Sequence, residues 1–230
     1  MDILNRVREY REEESRLRWE GTFGEYLEIV KERPHVAQSA HSRIYNMIKD
    51  KGLTEKNGRK TYHFFGNDIF GLEEAVERLV EEYFHPAAKR LDVRKRILLL
   101  MGPVSGGKST LVNLLKRGLE EYSRTDAGAV YAIKGCPMHE DPLHLIPPHL
   151  RKEFQEEYGI RIEGSLSPLN TMRLEKEYGG RIEDVLVERI FFSEDKRVGI
   201  GTFSPSDPKS QDIADLTGSI DFSTIAEYGY

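Results

Sequence analysis

Over the first fifty residues the apolar positions recur at helical spacing. Ile3, Leu4, Val7, Tyr10 and Leu17 share one side of a pattern whose other side pairs Glu12 with Arg16 and Glu14 with Arg18, so an amphipathic helix is predicted over 2–19. Thr22 followed by Glu25 is a capping-box signature; it opens a second helix that reaches Val30 and is stopped by Pro34. A third helix is predicted over 37–49, ahead of Gly52. The period then changes. Asn57-Gly58 stands between residues 53–56 and the aromatic-rich stretch 60–65, a small hairpin in which the chain passes from a helical region (1–58) to a second domain (59–230).

That second domain starts with a helical pattern, Leu72, Val76, Leu79, Val80 and Tyr83, which Pro86 kinks or ends. Residues 96–101 are a short apolar run bounded by charge on one side and Gly102-Pro103 on the other, as a central parallel strand should be. Residues 108–121 return to helical period, 129–133 read as the next strand, and 143–158 as a helix that Pro147-Pro148 must bend or delay. Strand, loop, helix, strand is a βαβ unit. Beyond it, 169–178 form a short helix after Ser167-Pro168, and 185–192 with 198–203 flank the polar turn 193–197 as an antiparallel hairpin. The segment 213–230 has a short helical start and no obvious closure. The expected fold class is α/β: a parallel-sheet P-loop NTPase core, incomplete, with an N-terminal helical arm and an inserted antiparallel hairpin.

Composition narrows the setting. The chain has 230 residues, 38% hydrophobic and 32% charged, the balance of an ordinary globular protein. A net charge of -5 offers no general attraction for nucleic acid or an anionic membrane, so neither is expected as a partner, and Arg94-Lys95-Arg96 is read as a solvated face. The longest apolar run, 97–101, is far short of the roughly 20 residues that span a bilayer, and the charged N-terminus has no apolar signal core; a cytoplasmic location is expected. The single cysteine, Cys136, has no internal disulfide partner and no CxxC neighbour.

The candidate chemistry lies in Gly102, Pro103, Val104, Ser105, Gly106, Gly107, Lys108 and Ser109, which fit GxxxxGK[ST]. This pattern wraps backbone N–H groups around phosphate oxygens, and its glycines permit an approach that side chains would block. The positive end of the following helix points at the phosphates. Lys108 should reach the β and γ phosphates, the Ser109 hydroxyl should be a ligand of Mg2+, and Thr110 should add a phosphate contact. No [NT]KxD guanine-reading element is present, which favours ATP; nor are the HRD and DFG elements of the eukaryotic-type protein kinases.

Two stretches flank this loop: Phe70-Gly71-Leu72-Glu73-Glu74 upstream, and Lys134-Gly135-Cys136-Pro137-Met138-His139-Glu140-Asp141-Pro142 downstream. With GPVSGGKST between them, the chain resembles the PrkA family of bacterial serine protein kinases. The likeness runs from the Tyr10-Arg11-Glu12-Glu13 region to Asp207-Pro208-Lys209-Ser210-Gln211-Asp212. The resemblance implies an AAA+ type core in which Phe70 and Gly71 lie near the adenine, a protein substrate, and a homo-oligomeric ring as the working form when full length. Members of the family are longer. The resemblance implies that the Walker B acids, a sensor, an arginine finger and the region usually credited with kinase activity lie past Tyr230, so that this chain is expected to be a truncated piece.

Other residue clusters carry less. Glu194 and Asp195 end an apolar run as Walker B acids do, yet the tight turn that follows places them at a hairpin tip. His139, Glu140, Asp141 and His144 are crowded, but Pro142 breaks the helical spacing and the pattern is not HExxH, so a structured loop is expected rather than a metal site. Thr217, Ser219, Ser223 and Thr224 could accept phosphate in an autophosphorylating kinase and read otherwise as caps and turns. Three functional readings stay open: an ATP-dependent serine protein kinase, an AAA+ motor or unfoldase acting on proteins, and, third, a P-loop kinase of a small metabolite.

Overall fold

A computed structural model describes residues 3–66, 68–203, 218 and 222. Helix α1 (Ile3–Leu17), a short strand β1 (Glu20–Thr22) and helix α2 (Phe23–Glu32) open the chain. The expected capping box is present at the start of α2. The Glu25 backbone N–H donates to Thr22 Oγ1 at 3.3 Å and the Thr22 N–H donates to the Glu25 carboxylate at 2.6 Å, which satisfies amides that the helix itself cannot pair. Helix α3 (Ala40–Asp50) is capped by the Ser39 hydroxyl, which accepts from the Ser42 N–H. Strands β2 (Leu53–Lys56) and β3 (Arg59–Tyr62) form the predicted hairpin, with Asn57 and Gly58 at φ 53° and 74°, the pair of positive angles a type I′ turn requires.

Pro86 acts differently from expectation. Helix α4 (Glu73–Arg78) widens into a π-helical turn (Leu79–Phe84) and then continues as α5 (His85–Ala88), with Pro86 inside its first turn. The His85 N–H reaches back to the Val80 carbonyl, five residues away, and Pro86 then needs no donor. Helix α6 (Lys108–Tyr122), strand β4 (Val130–Ile133), helix α7 (Arg151–Tyr158), helix α8 (Pro168–Tyr178) and strand β5 (Leu186–Ile190) complete the described elements. The two prolines at 147 and 148 hold the preceding chain in short 3-10 turns and delay α7 to Arg151.

The sheet departs from the expected pairing. Its order is β1-β5-β4, and both ladders are antiparallel. Strand β5 therefore sits between β1 and β4 instead of pairing with 198–203; the expected turn closes only with an isolated Ser193–Val198 bridge past the end of β5. Gly199, at φ 67°, turns the chain out of the extended conformation directly after that bridge. The run 96–101, expected as a central parallel strand, takes no strand pairing among the described residues, and Ile97, Leu99 and Met101 are 94%, 73% and 83% exposed. An apolar run states a demand for burial, whereas a strand exists only through its ladder partners, and the βαβ unit does not close here.

Two cores form. In one, Phe23, Tyr26 and Val30 of α2 pack on Tyr131, Ile133 and Val187 of the sheet. In the other, Met47 and Ile48 of α3 meet Tyr62, Phe65, Val80 and Tyr122, the last at the end of α6. Arg43 joins them: buried to 4% exposure, its Nη1 donates to the Gly128 and Ala129 carbonyls at 2.6 and 3.0 Å. Burial pulls its guanidinium down to about 10, with nearby Tyr122, Tyr26 and Asp141 opposing.

Candidate functional site: the glycine-rich loop

Helix α6 aims its N-terminus at the loop and is anchored from behind. At its far end the Tyr122 hydroxyl donates to Asp50 of α3 at 3.0 Å, and burial with this bond pushes the phenol up to about 12. Midway, Gly118 is so close to α3 and its neighbours that a Cβ there would lie 2.6 Å from the Phe64 ring and 2.9 Å from Met47 Sδ. The helix cannot slide without opening that core.

The loop itself is a chain of turns. The Gly106 N–H donates to the Pro103 carbonyl at 3.2 Å, Ser105 and Gly107 have φ of 64° and 74°, and α6 starts at Lys108. Gly107 is the N-cap and brings no side-chain cap, and no acidic residue stands in the first turn of α6. The positive end of the helix is thus left facing the loop. Lys108 folds across the mouth, its Nζ donating to the Gly102 carbonyl at 2.9 Å and to the Pro103 carbonyl at 2.5 Å. Val104, Ser109 and Thr110 are exposed. The loop and the first turn of α6 thus carry backbone amides, one ammonium and two exposed hydroxyls within a few residues of each other, a donor set whose chemistry fits a polyphosphate.

Beside the loop lies a cavity of about 240 Å3, mostly apolar. Leu72, Val76 and Leu79 form one wall, Leu99 another, and Gly107 and Lys108 close the end toward the loop. The packing is tight enough that a Cβ on Gly107 would stand 3.1 Å from Leu72 Cδ1. Phe70 is 78% exposed and does not line this cavity; Gly71, at φ 74°, donates its N–H to the Glu73 carboxylate at 3.0 Å to start α4. Backbone hydrogen bonds, including that one, hold the Glu73 carboxyl below its usual range. The wall residues Leu72, Val76 and Leu79 had not been singled out as a site. Their helical spacing, directed at the glycine loop, was the available signal.

In the downstream stretch 134–142, Glu140 forms a buried polar latch. Glu140, 9% exposed, accepts from the Ser167 N–H at 2.8 Å, the Ser167 hydroxyl at 2.6 Å, the Asn170 amide at 2.5 Å and His144 Nδ1 at 3.1 Å. Burial alone would raise its carboxyl, but the bonds from Ser167, Asn170 and His144 outweigh that and lower it. His144 Nε2 faces the Glu163 carbonyl at 2.8 Å, and Asn170 also donates to the buried Cys136 Sγ at 3.1 Å. Among the described residues no group of three His, Cys, Asp or Glu is placed to hold a metal ion. Glu194 is likewise engaged: it pairs with Lys116 at 2.6 Å and accepts from Thr202 at 2.5 Å, and these two bonds lower its carboxyl, while Asp195 is exposed in the turn. Thr217, Ser219, Ser223 and Thr224 lie outside the described residues. No described helix is long and apolar enough to cross a membrane.

Comparison with known proteins gives a family. The family model described as PrkA AAA domain matches residues 21–230. The chain is 81% identical to the ATP-dependent protease PrkA of Bacillus subtilis over 229 residues, which is 100% of this chain and 36% of that protein. It is 33% identical over 169 residues to the serine/threonine kinase YeaG of Escherichia coli K12, covering 70% of this chain and 25% of that one. An uncharacterized protein in the gldA 5′ region of Geobacillus stearothermophilus is 73% identical over 97 residues, 42% of this chain and all of that one. The chain thus spans about a third of the length of the Bacillus relative and a quarter of the Escherichia one. No solved structure matches.

Proposed function

The chain belongs to the PrkA AAA domain family, and from that premise we propose that it binds ATP with Mg2+ and serves the ATP-driven part of an enzyme acting on proteins. The observation that carries this reading is the glycine loop itself: Gly102 to Gly107 turn their backbone around the positive end of α6, with Lys108 across the mouth and an apolar cavity adjoining. In it, Gly106, Gly107, Lys108, Ser109 and Thr110 hold the phosphates. The cavity walled by Leu72, Val76 and Leu79 takes the base, and Phe70 and Gly71, expected near the adenine, stand just ahead of that wall in the chain without lining the cavity. Magnesium, when bound, would supply neutralisation of phosphate charge, and the exposed Ser109 hydroxyl is the ligand this chain would offer it.

The reading extends to the fold. Residues 96–101 become the central strand of a parallel core once strands from the rest of the longer enzyme pair with them, which accounts for the exposure of Ile97, Leu99 and Met101. A cytoplasmic, oligomeric assembly follows from the same family premise. Of the two protein-directed activities, ATP-driven proteolysis or unfolding is favoured over serine phosphorylation, because the relative named a protease matches the whole chain at 81% and the one named a kinase matches 70% of it at 33%.

Two measurements test this. Calorimetric titration with Mg-ATP should give binding that Lys108→Ala weakens by about 10- to 100-fold, the worth of a charge-assisted phosphate contact; unchanged affinity refutes the site. Incubating the full-length enzyme with γ-labelled ATP should release free phosphate that unfolded protein stimulates. Label accumulating on protein serine would reverse the preference between the two activities.

A further inference from the structure

The hydrogen bonds that residues 96–101 make among the described residues all fall on Arg96. Its N–H donates to the Val93 carbonyl at 3.0 Å, and its carbonyl accepts from the Tyr83 hydroxyl at 3.1 Å. Past that residue the run has no ladder to fix it. Leu99, Leu100 and Met101 nevertheless line the apolar cavity beside the glycine loop, so the place where the run enters decides where that wall stands.

A 3-10 turn, Asp92–Lys95, stands directly ahead of Arg96, and Arg94 within it grips Glu163 with both arms of its guanidinium, Nη1 to Oε2 at 2.6 Å and Nη2 to Oε1 at 2.9 Å. A bidentate pair of this kind fixes direction as well as distance. Arg90 and Arg161 approach the same carboxylate at 3.5 and 3.3 Å, so three guanidiniums share one acceptor. The bonds from Arg94 and the charges of all three hold the Glu163 carboxyl below its usual range. Glu163 is itself a fixed post. Its backbone carbonyl faces His144 Nε2 at 2.8 Å, the Gly164 carbonyl accepts from Arg151 Nη1 at 2.6 Å, and a Cβ on Gly164 would stand 2.9 Å from His144 Nε2. His144 in turn bonds Glu140. Residues 139–144 do not line the cavity, yet Glu163 and Arg94 connect them to the segment that leads into its wall.

We propose that Glu163 is a positioning residue for the base end of the nucleotide site: by holding Arg94 and Arg90 it sets the entry of 96–101, and with it the wall that Leu99 and Met101 form. The role rests on the reading of the glycine loop and its cavity as an ATP site. The phosphate end is held independently, because α6 is anchored through Gly118 and Tyr122. An ion pair near the surface adds little to stability by itself, so losing this one shifts the course of the run and leaves the chain folded.

Calorimetric titration with Mg-ATP and, separately, with magnesium tripolyphosphate, which has the phosphates and no base, tests this. Glu163→Gln should weaken Mg-ATP by about three- to tenfold, the usual size of coupling carried through packed side chains, and leave tripolyphosphate within about twofold of the parent. Removing a negative charge would by itself favour both anions, so the expected loss is opposite in sign to a through-space effect. Arg94→Met should give the same selective loss, and the double variant no more than the larger single, since both cut one tie. Glu156→Gln, which removes the exposed partner of Lys152 on α7, should change neither ligand. The proposal is overturned if Glu163→Gln binds Mg-ATP as the parent does, if both ligands weaken together, or if the losses of the two variants add. A parent that binds neither ligand refutes the ATP site and this role with it, whereas a parent that binds both and is matched by Glu163→Gln refutes the role alone.

Discussion

Glu140→Ala should be among the most damaging single changes in the chain, and the reason can be counted from its bonds. The carboxylate is 9% exposed and accepts four donors: the Ser167 N–H and hydroxyl, the Asn170 side-chain amide and His144 Nδ1. Alanine removes the acceptor and leaves those donors in place, and Asn170, 3% exposed, cannot turn to water. A hydrogen bond to a charged group is worth about 1.5–3 kcal/mol, and stranding a buried charged network costs about 3–5 kcal/mol because the separate losses do not add. We expect about 3–5 kcal/mol for Glu140→Ala and about 1–2 kcal/mol for Glu140→Gln, which keeps one acceptor oxygen. Against a typical total of about 5–15 kcal/mol the first is close to unfolding. Urea titration followed by the fluorescence of Trp19, which packs edge-on against Tyr131 at 5.4 Å, measures both. The pH dependence supplies an independent sign. Because the folded carboxyl lies below its ordinary value of about 4.5, its contribution is complete above that pH and is lost as pH falls through the lower folded value. Glu140→Gln should flatten that acid limb. A cost below about 1 kcal/mol for Glu140→Ala, or an acid limb identical in all three proteins, would sink the account of 134–142 as a latch.

The remaining predictions concern how the glycine loop is held. Gly107→Val should weaken Mg-ATP binding in a calorimetric titration while leaving the urea midpoint within about 1–2 kcal/mol of the parent, since a left-handed angle of 74° is strained for any L side chain and the Cβ presses on Leu72; retained affinity would count against the loop geometry. Gly118→Ala should cost about 1–3 kcal/mol by overpacking against Phe64 and Met47, read as a lower urea midpoint. Arg43→Met should cost about 2–4 kcal/mol, because the Gly128 and Ala129 carbonyls lose their buried donor, and no loss on chemical denaturation would show that α3 and β4 are joined by packing alone.

Local signals in the sequence carried far. The Thr22–Glu25 capping box, the Asn57-Gly58 turn and the Ser167-Pro168 helix start each appear where the residues called for them, because each depends on atoms within a few positions of one another. Pairing was harder to read. Strand β5 was expected to fold back on 198–203, but it lies between β1 and β4, partners more than fifty and more than a hundred and sixty residues away. Alternation along Leu186–Ile190 is the same whichever neighbours it finds. The same limit applied to His139, Glu140 and His144: their crowding was visible, but donors that turn Glu140 into a structural acceptor come from Ser167, the cap of α8, and Asn170 in its first turn. At the glycine loop the motif marked the residues that form the turns ahead of α6, whereas the cavity beside it depends on how α4 packs across the loop, and Leu72, not Phe70, makes that contact.

The two sides of the loop differ in what supports them, and this bears on how the site works. Downstream, α6 is fixed by Gly118 against Phe64 and by Tyr122 on Asp50, so the amides of its first turn keep their aim irrespective of what lies upstream. Upstream, residues 96–101 have no ladder partner among the described residues, and three of their apolar side chains are largely exposed. The proposed phosphate contacts belong to the first side, since they would come from Gly106, Gly107, Lys108 and Ser109. The cavity proposed for the base belongs partly to the second, since Leu99 forms one of its walls. On the proposed reading, phosphate recognition would be a property of residues already locked in place, while the fit around the base would depend on how 96–101 is held. Pairing of that run with further strands would adjust the base pocket and leave the phosphate cradle as it is, a division of labour that follows from where the packing is dense and where it is not.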